Sequence, residues 1–148
     1  MALSHGKQTQ SARQCGCDWA IERLPGLSAE YGRQLERRGI ETTLQLLHRT
    51  RSQPARQELA HALRAPRQEI DKWVAMADLA RLPGVGCQYC GLLLHAGIAS
   101  VGQLAQTPVR RLHQQILRLQ VATMHRRDLC PSPAELQDWI AQARHLQH

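Results

Sequence analysis

The chain has 148 residues, 43% apolar and 21% charged, which suits one domain with a buried core rather than a disordered tail or a membrane protein. No stretch approaches the roughly 18 unbroken apolar residues of a membrane helix, and the polar first 14 residues lack the apolar centre of a secretion signal, so a cytoplasmic protein is expected. A net charge of +7 points to anionic partners, while the absence of Phe and an aromatic content of 3% argue against a platform that stacks single-stranded bases.

In chain order, residues 1–14 are expected to be a flexible N-terminus and residues 15–148 one compact domain. The spacing predicts a short first helix over Asp18–Arg23, stopped by Pro25-Gly26. Ser28 can cap a second helix that runs to Arg38, where Gly39 supplies a left-handed stop. Thr42 and Gln45 have capping-box spacing at the head of a third helix. Pro54 and Pro66 sit where first helical turns accept proline. A long helix from about Pro66 to Arg81 then carries Ile70, Trp73, Val74, Ala77 and Leu82 largely on one face, which marks a core stripe.

The same signals then return. Arg23-Leu24-Pro25-Gly26 recurs as Arg81-Leu82-Pro83-Gly84, a shift of 58, and at that shift Tyr31, Leu35, Gly39-Ile40 and Gln45-Leu46 match Tyr89, Leu93, Gly97-Ile98 and Gln103-Leu104. Ser100 and Gln103 repeat the capping box, Pro108 and Pro133 take the helix-start positions, and Ser132 with Glu135 forms a further box. Glu69 to Val74, with Trp73, aligns with Glu135 to Ile140, with Trp139, after about eight extra residues placed between Val121 and Ser132. The expected organisation is therefore all-α, with repeat one over about 15–80 and repeat two over about 81–148. Both Trp residues are expected to be buried anchors. Leu92, Leu93 and Leu94 in succession cannot all face one core, so one of them is expected at the surface, where it would suit a protein contact.

Charge is concentrated. Residues 1–78 carry 12 basic and 9 acidic side chains, whereas Leu79 to Arg127 holds six Arg and no acid. Such a run suits either a solvated helix face or a basic nucleic-acid-binding surface. Seventeen of the 19 basic residues are Arg, the side chain suited to planar phosphate recognition.

Catalytic signals are absent. There are no paired carboxylates, no acid in the basic run to hold magnesium, and no nucleophile–base signature. The eight His are scattered without helical metal-site spacing. Cys15, Cys17, Cys87, Cys90 and Cys130 offer four thiolates to zinc only in principle, because Cys87 and Cys90 fall within a predicted helix and Cys90 takes a small packing position. Free, reduced thiols are expected, Cys87 near a helix start being the one that could be unusually acidic. A non-enzyme with no metal and no cofactor is expected.

Helix, Leu-Pro-Gly, small turn, helix, Gly-Ile: this pattern resembles the helix-hairpin-helix family. Leu82, Gly84, Val85, Gly86 and Cys90, followed by Leu93, Leu94 and Ile98, match its motif, as do Leu24, Gly26, Leu27, Gly32, Leu35 and Ile40, with Ser28 in place of the second glycine. Over about Asp18 to Leu146 the chain resembles bacterial stand-alone proteins with tandem units of this kind and no established function. The resemblance implies two fused pentahelical units sharing the linking helix. It also implies backbone contact with nucleic acid, double-stranded DNA first, through the N–H groups of Gly26, Leu27 and Ser28 and of Gly84, Val85, Gly86 and Cys87. A glycine-lined turn admits a phosphate closely, and helix-start N–H groups are unpaired and lie at the positive end of the dipole. Arg23, Arg33, Arg81, Arg110, Arg111, Arg126 and Arg127 would supply the field. The alternative is an adaptor or self-associating scaffold, with a protein partner or a second copy in place of nucleic acid.

Overall fold

Ala, Leu, Gln and Arg dominate the chain, and each loses little on entering a helix. The computed structural model accordingly places eight α-helices and one 3-10 turn in the residues it describes, 16–124 and 131–147. After the 3-10 turn Ile21–Arg23 come α1 (Ala29–Arg37), α2 (Thr43–Arg49), α3 (Gln53–Leu63) and α4 (Arg67–Leu79). The second half runs α5 (Gly86–His95), α6 (Val101–Gln106), α7 (Val109–Met124) and α8 (Pro133–Gln147). Among the described residues the one β feature is an isolated bridge between Ala20 and Thr42. The N-terminal 14 residues, Cys15, Cys130 and most of the expected insertion between Val121 and Ser132 lie outside the described residues.

The predicted stops and caps form as the side chains dictate. Ser28 accepts from the Tyr31 N–H at 3.1 Å, and Ser132 accepts from the Glu135 N–H at 3.2 Å. Thr42 and Gln45 make a reciprocal capping box, and Ser100 accepts from the Gln103 N–H at 3.0 Å. Gly39 (φ +83°) and Gly97 (φ +100°) end α1 and α5. The following Ile40 and Ile98 each donate their N–H to the corresponding leucine carbonyl, Leu35 and Leu93, at 2.9 Å. The two halves thus reproduce one another bond for bond at these helix ends.

The helix predicted over Asp18–Arg23 is shorter than expected. Residues 18 and 19 are non-helical and Ala20 bridges to Thr42, because the polar groups here serve α2 instead. The Asp18 carboxylate accepts from the Leu44 N–H at 3.1 Å, the Trp19 N–H donates to the Thr43 hydroxyl at 3.1 Å, and the Trp19 carbonyl accepts from the Thr43 N–H at 2.8 Å. These partners lie some 24 to 26 residues away, which local propensity does not see. The linking helix is also trimmed, to Arg67–Leu79, with Pro66 as its cap residue and Leu82 beyond its end.

One core runs through both halves. Ile70, Trp73, Val74, Ala77 and Leu82 are all buried, as the stripe requires, and Trp139 and Ile140 repeat that role on α8. Tyr31 tilts against Trp73 with ring centroids 5.2 Å apart, and Tyr89 against Trp139 at 4.9 Å. Of the leucine triplet, Leu93 is fully buried, while Leu92 and Leu94 are half-buried against the core. α4 packs on α2, α3 and α5, and α8 packs on α6 and α7. No helix among the described residues is long and apolar enough to cross a membrane.

Candidate nucleic-acid interface

The two Pro-Gly bends are the candidate contact points, and each is built differently. At the first, Pro25 presets φ and Gly26 takes φ +78°, with the Leu27 N–H donating to the Leu24 carbonyl at 3.4 Å, a turn that requires a left-handed residue in third place. Gly26 is exposed, and a Cβ there would meet nothing within 4 Å. Ser28 is extended (φ −69°, ψ 156°) and caps α1, so this position has no need of a glycine. Beside the bend, the exposed Arg23 guanidinium lies 4.8 Å from the centre of the Trp19 ring.

At the second bend three of the amides expected to be bare, those of Gly84, Val85 and Gly86, are occupied. The Val85 and Gly86 N–H groups both donate to the Leu82 carbonyl, at 3.1 and 2.9 Å. The Gly84 N–H donates to the Gln142 Oε1 at 2.9 Å, and that carboxamide is itself held by a bond from its Nε2 to Asp138 at 2.9 Å. Here it is Gly86 that is left-handed (φ +51°). Two indoles close the bend: a Cβ on Gly84 would lie 2.8 Å from Trp139, and one on Gly86 would lie 3.0 Å from Trp19. Trp19 is pinned there by its Nε1 bond to the Ala80 carbonyl at 2.7 Å, and the Cys17 N–H bonds the Arg81 carbonyl at 2.8 Å. Val85 and Gly86 are buried. Burial raises the Cys87 thiol above its ordinary range, opposed by the nearby Arg23 charge, so Cys87 is not the unusually acidic thiol that its helix position suggested.

The same asymmetry separates the arginines that precede the bends. Arg81 pairs with Asp78 at 2.7 Å, and the second Asp78 oxygen accepts from the Val101 N–H at 2.8 Å. At the position equivalent to Asp78, the first half has Ala20, so Arg23 has no such partner. Arg33 pairs with Glu30 at 3.1 Å, both well exposed. Arg110 and Arg111 are exposed on α7, with Arg118 two turns further along, and no carboxylate among the described residues lies within ion-pair distance of the three. Arg126 and Arg127 lie outside the described residues.

Arg23 thus lies beside the first bend, whereas the arginines of α7 are not drawn to the second. Arg111 borders a 240 Å³ hollow with Ile98 and Gln103, at the end of α5 opposite the second bend. Arg81 borders a larger cleft against α2. Sequence reasoning missed Arg118, the Gln142 plug and the Trp19 lid. Gln142 had a signal, because its equivalent in the first half is Met76, whose thioether sulfur is only a weak acceptor. Cys90 is buried and its thiol is pushed up to about 12, chiefly by desolvation. No group of three or more His, Cys, Asp or Glu among the described residues is arranged to hold a metal ion.

Residues 25–146, nearly the whole chain, match the model of a protein family described as a domain of unknown function (DUF4332). The chain belongs to this family. No curated protein and no solved structure matches this DUF4332 chain.

Proposed function

We propose that this DUF4332 protein is a non-catalytic, cytoplasmic binder of nucleic-acid backbone, double-stranded DNA first, made of two helix-hairpin-helix units that share α4. The observation that carries this reading is the α7 face. Arg110, Arg111 and Arg118 stand exposed there without a carboxylate among the described residues, whereas Arg33, Arg56, Arg67 and Arg81 are all paired with acids. A cationic face left uncompensated attracts a polyanion and releases its counterions. The open first bend, with Arg23 beside it, adds a second point of contact. Such contacts position a protein on a backbone without reading sequence.

The test is a salt titration of fluorescent duplex binding. Affinity should fall as salt rises, with a slope of about −0.9 per phosphate neutralised. The triple variant Arg110→Glu, Arg111→Glu, Arg118→Glu should abolish binding without altering the helical content. Failure of the parent chain to bind at about 50 mM salt would sink the reading. One observation favours the adaptor reading instead. The Gly84, Val85 and Gly86 amides are already bonded within the chain, so a symmetric two-bend grip on a duplex requires displacing Gln142.

A further inference from the structure

A sizeable cleft among the described residues belongs to neither bend. It measures about 710 Å³ and lies between α2 and the end of α4, with Leu44 and Leu47 among its lining residues and His48, Arg49, Arg51 and Arg81 around them. Among the described residues that line it the one acid is Asp78, whose two oxygens are committed to Arg81 and to the Val101 N–H. Among the described residues Arg49 bonds only a neutral group, the Arg38 carbonyl at 3.3 Å, which leaves its charge uncancelled there. Arg51 is exposed, with no carboxylate in ion-pair distance among the described residues.

The internal repeat shows why the opening exists in one half. Leu44 and Leu47 correspond to Gly102 and Ala105 in the second half, and Asp78 corresponds to Arg144. There the small residues let α8 pack closely along α6, and Arg144 reaches across to bond the Ala105 carbonyl at 3.1 Å. In the first half two leucines stand where the second has those small residues, and an aspartate that turns to Arg81 replaces the bridging arginine. The result is a half-buried apolar floor inside a cationic rim.

We infer that this cleft is a docking site for an acidic peptide segment of a partner protein, which seats apolar side chains on Leu44 and Leu47 and sets carboxylates against Arg49 and Arg51. Charge complementarity selects the sign of the segment, and the leucine floor selects a peptide over a bare phosphate backbone, which has nothing apolar to bury. This site is separate from the α7 face and stands whether or not that face binds nucleic acid.

The experiment is methyl NMR of the full chain titrated with a synthetic 12-residue peptide of Asp and Glu carrying two leucines one helical turn apart. The Leu44 and Leu47 methyl signals should shift and saturate. A peptide with the leucines changed to serine should bind at least about tenfold more weakly. Arg51→Glu and Leu47→Ala should each weaken binding at least about fivefold while the remaining signals keep their places. No shift at about 1 mM peptide overturns the inference, as does equal binding of the serine peptide. A 12-base-pair duplex that moves the same two methyls and displaces the peptide also overturns it, since nucleic acid would then be the occupant. The nucleic-acid reading is judged separately, at Arg110, Arg111 and Arg118.

Discussion

At the first bend a Cβ on Gly26 would meet nothing within 4 Å, whereas at the second a Cβ on Gly84 would press on the Trp139 ring at 2.8 Å. Four residues are shared by the two bends, Arg-Leu-Pro-Gly, yet one faces solvent and the other is closed by Gln142, Trp139 and Trp19. The four shared residues do not account for the difference. It lies in what the fold brings against it: the first half offers Met76 and Ala20 where the second has Gln142 and Asp78. A glycine motif therefore specifies a turn, and residues elsewhere in the chain decide whether its amides are available.

The largest effect expected on this contrast comes from Trp139→Ala. It removes a buried anchor together with the lid on Gly84 and should cost about 3–5 kcal/mol in denaturant unfolding. Next comes alanine at the glycines. Gly86→Ala meets both a left-handed φ and the Trp19 ring and should cost about 2–3 kcal/mol. Gly26→Ala meets only the φ penalty and should cost about 1 kcal/mol. Equal losses at these two positions would break the distinction between open and closed bends. Gln142→Met, the first-half residue, leaves the Gly84 N–H without its acceptor and should cost about 1–2 kcal/mol. If the freed amide takes phosphate, the same variant should tighten duplex binding at low salt; unchanged affinity would confine the anion contacts to the first half and α7.

An effect absent at neutral pH is a pH dependence at Cys90. Its folded thiol titrates near 12, above the unfolded value of about 9, because burial disfavours the thiolate. The unfolded chain therefore loses this proton first, and stability from this group is fully present below about pH 9 and declines between about pH 9 and 12. Cys90→Ala should lessen the alkaline fall in stability, and Cys90 should resist alkylating reagents at pH 8 in the folded protein.

Much of the architecture was legible because it is written in local residues. Helix ends depend on a capping side chain three residues from its amide, so Ser28, Thr42, Ser100 and Ser132 fall where the sequence placed them. The periodicity of Ile70, Trp73 and Val74 likewise reports a buried face directly. The occupied amides were not legible in either segment by itself, because Gly84 and Gln142 are 58 residues apart; only the contrast of Gln142 with Met76 across the repeat hints at the bond. The place of Arg81 just before the bend suits a field-setting cation, but Asp78, one turn earlier, takes its charge. Exposure of Arg110 and Arg111 agrees with a basic run that contains no acid, whereas their distance from the second bend depends on how α7 docks.

The carboxylates of Asp18 and Asp78 reach helix starts 26 and 23 residues away, the Leu44 and Val101 amides. Helices α2 and α6, of seven and six residues, are far too short to persist in isolation. Neither has a reason to exist until the segment bearing its aspartate has docked. Amide-exchange protection in α2 should consequently vanish together with that of the extended strip around Trp19 rather than by fraying from its own ends. A chain cut just before Trp19 would then forfeit order in a helix that begins two dozen positions downstream.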